Sequence, residues 1–146
     1  MPSTSSTRTE DFTAVLHLPV DPAAVSALFT SAAGVSRWWG PTQGDGAAGG
    51  TLVTSFGEHG VNTMRVLEAG PARVVWESVA SDGLPPTGHT REWLGTTMEF
   101  DIAGAGAGTE LRFRHVGLTP QLDCWTYFMA SIKSFAETGA GTPFGA

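Results

Sequence analysis

The sequence has one cysteine, Cys124, and only 8 lysines and arginines against 14 aspartates and glutamates. A lone thiol excludes an intramolecular disulfide, so a reducing, cytoplasmic compartment is the expectation. The basic residues (Arg8, Arg37, Arg65, Arg73, Arg91, Arg112, Arg114 and Lys133) are scattered, and the formal net charge is −6. Without a basic stripe there is no footprint for a polyanion, which argues against nucleic-acid binding. No stretch approaches the ~18 consecutive apolar residues of a spanning helix, so no membrane association is expected. Residues 1–10 are Ser/Thr-rich and lack the apolar core of a secretory signal. His17, His59, His89 and His115 fall on different elements without an H-E-x-x-H spacing, so no metal site is expected. No cofactor is expected either: the glycine-rich run Gly104–Gly108 lacks the lysine and the following helix of a phosphate loop, and reads as a hairpin turn.

What the sequence does have is glycine, 19 residues of it, between runs that alternate apolar and polar side chains. Apolar residues make up 41% and charged residues 15%, the latter below the ~25% usual in globular domains, which indicates a well-packed chain with many turns. The length of 146 residues suits one domain, expected over 11–143 after a disordered tail over 1–10.

Phe12, Ala14, Leu16 and Leu18 alternate with polar positions and predict a strand, ended by Pro19. Asp21-Pro22 supplies a helix cap and a first helical residue. Val25, Leu28 and Phe29 recur at helical spacing, and Gly34 is read as the stop, with a second short helix over about 34–39. Residues 42–50 read as loop. Strands are then predicted over 51–56, 61–68, 73–79, 92–102 and 109–116, joined by turn-forming residues as in an antiparallel meander. A long amphipathic helix is expected over about 120–137, with Thr119 as its cap and Gly139 as its stop. The break over 82–90, with Pro85-Pro86, reads as a mobile rim.

This order defines an α+β fold: a curved six-stranded antiparallel sheet around a long C-terminal helix, with two short helices after the first strand. A curved sheet cannot touch one straight helix along its whole length, so large side chains, water or a ligand must occupy the gap. Strand parity and helix periodicity point Phe56, Met64, Trp76, Met98, Phe100, Phe113 and His115 inward from the sheet, and Trp125, Phe128, Met129 and Ile132 inward from the helix. Leu52, Thr54, Val66, Val74 and Leu111 share the inward parity. Trp38 and Trp39 could stack on a flat ligand or serve as a core or mouth plug. The aromatic and methionine side chains suit an adaptable apolar cavity, and filling an ordinary core is the alternative for the same residues.

His115 could orient a ligand carbonyl or act as an acid or base, or be a core histidine bonded to backbone or to a nearby hydroxyl. Glu77, Glu99 and Asp101 fall outward by parity, on a solvated face. Cys124 reads as a buried, inert thiol. No catalytic constellation emerges, so a binding role is expected before an enzymatic one.

Four segments carry a family resemblance: Asp21-Pro22-Ala23-Ala24-Val25 leading to Arg37-Trp38-Trp39; residues 92–100, Glu-Trp-Leu-Gly-Thr-Thr-Met-Glu-Phe; residues 109–118, Thr-Glu-Leu-Arg-Phe-Arg-His-Val-Gly-Leu; and residues 131–143, Ser-Ile-Lys-Ser-Phe-Ala-Glu-Thr-Gly-Ala-Gly-Thr-Pro. In order and spacing the chain resembles the SRPBCC superfamily, also called START-like or helix-grip proteins. Within it, the chain looks like the bacterial branch named for the activator of heat-shock protein 90 ATPase homologue. The resemblance implies the helix-grip fold and a small hydrophobic ligand held between sheet and C-terminal helix. The alternatives within that superfamily are a protein-interaction or co-chaperone-like module, including a homodimer, and a polyketide cyclase-like enzyme.

Overall fold

The computed structural model describes residues 10–56, 60–81, 95–118 and 124–142. Seven strands and three helices follow in the order β1 (Glu10–Leu18), α1 (Pro22–Ser26), α2 (Ala32–Ser36), β2 (Thr42–Gly44), β3 (Thr51–Ser55), β4 (Val61–Ala69), β5 (Arg73–Ser81), β6 (Thr97–Ala105), β7 (Gly108–Leu118) and α3 (Cys124–Thr138). All seven strands join one sheet in the order β1-β7-β6-β5-β4-β3-β2, every pair antiparallel. β3 to β7 form the meander that the sequence predicts, and β2 extends it. β1 closes on the far side against β7, with Ala14 opposite Phe113 and Leu16 opposite Leu111.

The strand count corrects the expectation of six. The extra strand, β2, lies in the stretch read as loop and pairs Thr42–Gly44 with Leu52–Thr54 of β3. It has no apolar alternation to announce it. Tertiary bonds hold it: Thr42 N donates to Ser36 Oγ at 2.9 Å, and the Thr42 and Thr54 hydroxyls meet at 2.7 Å.

Gly34 is the second correction. It does not stop the first helix; it lies inside α2, whose cap is Ser31, which accepts from Gly34 N at 3.0 Å. A Cβ at this position would lie 2.0 Å from Ala27 O, so glycine is required by close approach of two backbones rather than by helix termination. β6 starts at Thr97 in the described chain, and Thr119 and the 82–90 rim lie outside the described residues.

Other local signals hold. Asp21 caps α1, its carboxylate accepting from Ala24 N at 2.9 Å. Asp21→Ala is expected to cost about 1 kcal/mol, read as a lower urea midpoint, because one helix-end N–H loses its acceptor. Gly139 adopts φ 84° and its N–H donates to Phe135 O at 2.8 Å, ending α3 with a left-handed glycine. The glycine-rich run is a β6–β7 hairpin turn, with Ala105 paired to Gly108 and Gly106 at φ 61°.

The two faces of the sheet differ in chemistry. On the outer face Arg73 binds Asp101 at 2.5 Å, Glu68 at 3.3 Å and Glu99 at 3.6 Å, and Arg114 approaches Glu99 at 3.5 Å. The hydrogen bond to Asp101, with the neighbouring carboxylates, holds the Arg73 guanidinium charged beyond its ordinary range. Glu99 and Asp101 thus lie outward, as their parity predicts. The concave face carries the core, and α1, α2 and α3 supply its other walls.

Candidate functional site

The concave face begins with tryptophan. Trp39 is fully buried and forms near-parallel stacks with three other indoles: Trp38 at 5.5 Å and 16°, Trp76 at 5.6 Å and 22°, and Trp125 at 5.7 Å and 21°. The edges of Phe56 and Phe128 close on it at 5.3 and 6.4 Å. Beyond them Phe29 stacks on Phe100 at 4.3 Å, and Phe113 meets Trp125 at 4.3 Å. Local bonds position this cluster. Trp38 Nε1 donates to Leu28 O at 2.8 Å, tying α2 to the turn before it. Ser131 Oγ of α3 donates to Trp38 O at 2.8 Å, and Thr142 N donates to Ser131 Oγ at 2.8 Å. These bonds link α3, its C-terminal extension and the tryptophan pair.

All thirteen residues singled out from the sequence (Trp38, Trp39, Phe56, Met64, Trp76, Met98, Phe100, Phe113, His115, Trp125, Phe128, Met129 and Ile132) are brought together in this interior, none more than 5% exposed. Trp38 and Trp39 are fully buried, in the core position that is one of their sequence readings. Their rings and the phenylalanines pack against one another at centroid distances of 4.3–6.4 Å. Two surface clefts lie elsewhere: one of about 380 Å³ between Leu18, Thr109 and Glu137, and one of about 280 Å³ over the ion-paired outer face.

One end of the interior is polar. Thr54, Asn62, Ser78, Thr96 and His115 form a buried row across the sheet. Thr54 is opposite Asn62 in the β3–β4 ladder. Ser78 Oγ donates to Asn62 Oδ1 at 2.6 Å, and Asn62 Nδ2 donates to Met64 Sδ at 2.6 Å. Gly95, at φ 85°, turns the chain so that Ser78 N reaches Thr96 O at 2.9 Å. The Thr96 hydroxyl then meets His115 Nε2 at 2.7 Å, and Trp125 Nε1 donates to His115 Nδ1 at 2.6 Å. An indole nitrogen only donates, so Nδ1 must accept; His115 is therefore neutral, carries its proton on Nε2, and donates it to Thr96. The histidine is bonded to a nearby hydroxyl, as one of its two sequence readings has it. Its second partner, Trp125, makes it the tie between sheet and helix.

Asn62, Ser78 and Thr96 were not singled out from the sequence. The signal existed for all three: Asn62 is two residues before inward Met64, Ser78 two residues after inward Trp76, and Thr96 two residues before inward Met98, so they share the concave face. Two further buried polar atoms belong to indoles: Trp39 Nε1, in a ring held between three other indoles, and Trp76 Nε1, which has no hydrogen-bond acceptor among the described residues.

A seven-stranded antiparallel sheet with two short helices after its first strand and a C-terminal helix across its concave face defines the class: this is a helix-grip protein. Comparison with known proteins agrees. The Aha1 dimer from Colwellia psychrerythraea superposes with TM-score 0.73 at 23% identity, over 90% of this chain and 99% of that one. CalU16 from Micromonospora echinospora gives TM-score 0.69 at 17% identity over 92% and 78% of the two chains. DynU16, a protein in the dynemicin biosynthetic locus, gives 0.67 at 17% identity over 90% of this chain and 48% of its own. At these identities the likeness is one of fold, the helix-grip arrangement of sheet and C-terminal helix. No protein-family model and no curated protein matches the sequence. Among the described residues no helix is long and apolar enough to cross a membrane, and no group of three His, Cys, Asp or Glu side chains could hold a metal ion.

Proposed function

We propose that this chain is a binding module for a small apolar molecule, held between the concave sheet and α3. The observation that carries the reading is the make-up of the interior: an aromatic and methionine lining that ends on a buried polar row, beside which the Trp76 indole N–H has no acceptor among the described residues. Apolar walls with a few convergent polar groups are the usual chemistry of a small-molecule site. Because side chains occupy much of the space, binding requires the first turns of α3, which carry Trp125, Phe128 and Met129, to lift from the sheet. Methionine and phenylalanine can repack around a guest at modest cost. Both ring nitrogens of His115 are already engaged, which favours binding over acid–base catalysis at this residue.

Native mass spectrometry of the protein purified from its own host tests the proposal. A co-purified small molecule is expected, together with a shift of tryptophan emission when it is removed. Bare protein, unresponsive in emission to a panel of apolar probes, would exclude the module. The structural likeness to a protein described as a dimer favours self-association as a second reading, and the same spectrum reports the mass of the assembly.

A further inference from the structure

The chemistry of the guest can be read from two features of the interior, on the assumption that the interior binds a small molecule as proposed above. The first is charge. Every buried polar side chain among the described residues is uncharged: the row of Thr54, Asn62, Ser78, Thr96 and neutral His115, together with serine and threonine hydroxyls elsewhere in the core. A carboxylate or ammonium entering this space would lose its hydration and find no counter-ion among those residues, which is strongly unfavourable. The second feature is an unused donor. Trp76 lies on β5 two residues before Ser78, on the same face of the sheet, so its ring is next to the polar row. Its Nε1–H is fully buried without an acceptor, whereas Trp38 and Trp125 each donate to one, at 2.8 and 2.6 Å. Buried donors are nearly always bonded in folded proteins, and an exception marks a place where a water or a guest atom would be held.

The geometry points to an uncharged apolar guest carrying an acceptor oxygen, a ketone, ester or ether, that takes the hydrogen bond from Trp76 Nε1. The aromatic walls select flat hydrocarbon, the polar row admits one oxygen, and the lack of buried charge rejects ionised analogues of the same shape.

Three probes of nearly equal shape separate these terms: 2-acetylnaphthalene, 2-ethylnaphthalene and 2-naphthoate, titrated against the whole chain and followed by tryptophan emission or calorimetry. The ketone is expected to bind about tenfold more tightly than the hydrocarbon, the worth of one net hydrogen bond. The naphthoate is expected to bind more weakly than either. In Trp76→Phe, which keeps an aromatic ring and removes the N–H, the ketone and hydrocarbon should bind alike. A direct readout needs no variant: the indole N–H proton of Trp76 should move downfield in the ¹H–¹⁵N spectrum on adding the ketone and not on adding the hydrocarbon, and this decides the matter if the variant does not fold. Equal binding of ketone and hydrocarbon to the wild type, tighter binding of the naphthoate, or a ketone preference that survives Trp76→Phe would each overturn the inference while leaving the binding module intact. Failure of all three probes to bind would overturn the module and the inference with it.

Discussion

Trp39→Ala is expected to lower the stability of the domain by about 4 kcal/mol, the scale for truncating a fully buried aromatic side chain. The residue stacks on Trp38, Trp76 and Trp125 and receives the edges of Phe56 and Phe128. Removing the indole withdraws contacts from five rings at once, on β5, on α3 and on the segments that follow α2 and β3. None of them can close the hole without breaking another stack. Against a total stability of ~5–15 kcal/mol for a domain of this kind, the loss would move the urea midpoint far enough to measure without ambiguity. Trp39→Phe should cost clearly less, because it keeps a ring at the crossing point. The experiment also bears on function. A loss below about 1 kcal/mol for Trp39→Ala would mean that the stack contributes little and the interior is already hollow, whereas a large loss with gain of affinity for a bulkier probe would mark the indole as the group that a guest must displace.

His115→Ala is expected to cost about 3 kcal/mol, for a different reason. The truncation leaves two buried partners unsatisfied, the Trp125 indole N–H and the Thr96 hydroxyl, each of which then bears its desolvation cost without its bond to the imidazole. It also cuts the bond between β7 and the start of α3, so local opening of the helix should become easier. Amide hydrogen exchange would report this as faster exchange over the first turns of α3 with the central strands changed only by the global loss. A double-mutant cycle with Trp125→Phe isolates the tie: a coupling of about 1–2 kcal/mol is expected, and a coupling near zero would show that the short Nε1 to Nδ1 contact contributes nothing. The tautomer gives an independent check, since long-range ¹H–¹⁵N correlations should place the imidazole proton on Nε2 at neutral pH.

Both effects rest on residues that were legible before the fold was known, and the contrast with those that were not is instructive. The parity rule placed Phe100, Phe113 and His115 on one face because β7 runs without interruption and one face is apolar; β4 kept Met64 and Val66 inward despite register shifts after Thr63 and after Val66. The helix stripe of Trp125, Phe128, Met129 and Ile132 was equally plain, since a 3.6-residue repeat needs no tertiary information. β2 was illegible because its bonds come from β3 and from Ser36, not from its own side chains. Gly34 misled because a glycine at a helix end and a glycine under a crossing backbone look identical in sequence. The polar row was read inward at its two ends, Thr54 and His115, and not between them. Asn62 and Ser78 are ordinary hydrophilic residues until their neighbours in the sheet are known.

By itself, the sequence determined the order of elements, the face that each strand turns inward, the long helix, and hence the helix-grip class: these follow from periodicity and turn chemistry, which act over a few residues. The tertiary structure alone decided that four tryptophans stack around one another, that five polar side chains from separate segments line up across the sheet, and that the Trp76 indole N–H meets no acceptor among the described residues. Those are distances between residues far apart in the chain, set when sheet and helices close on a shared core, and no local pattern encodes them.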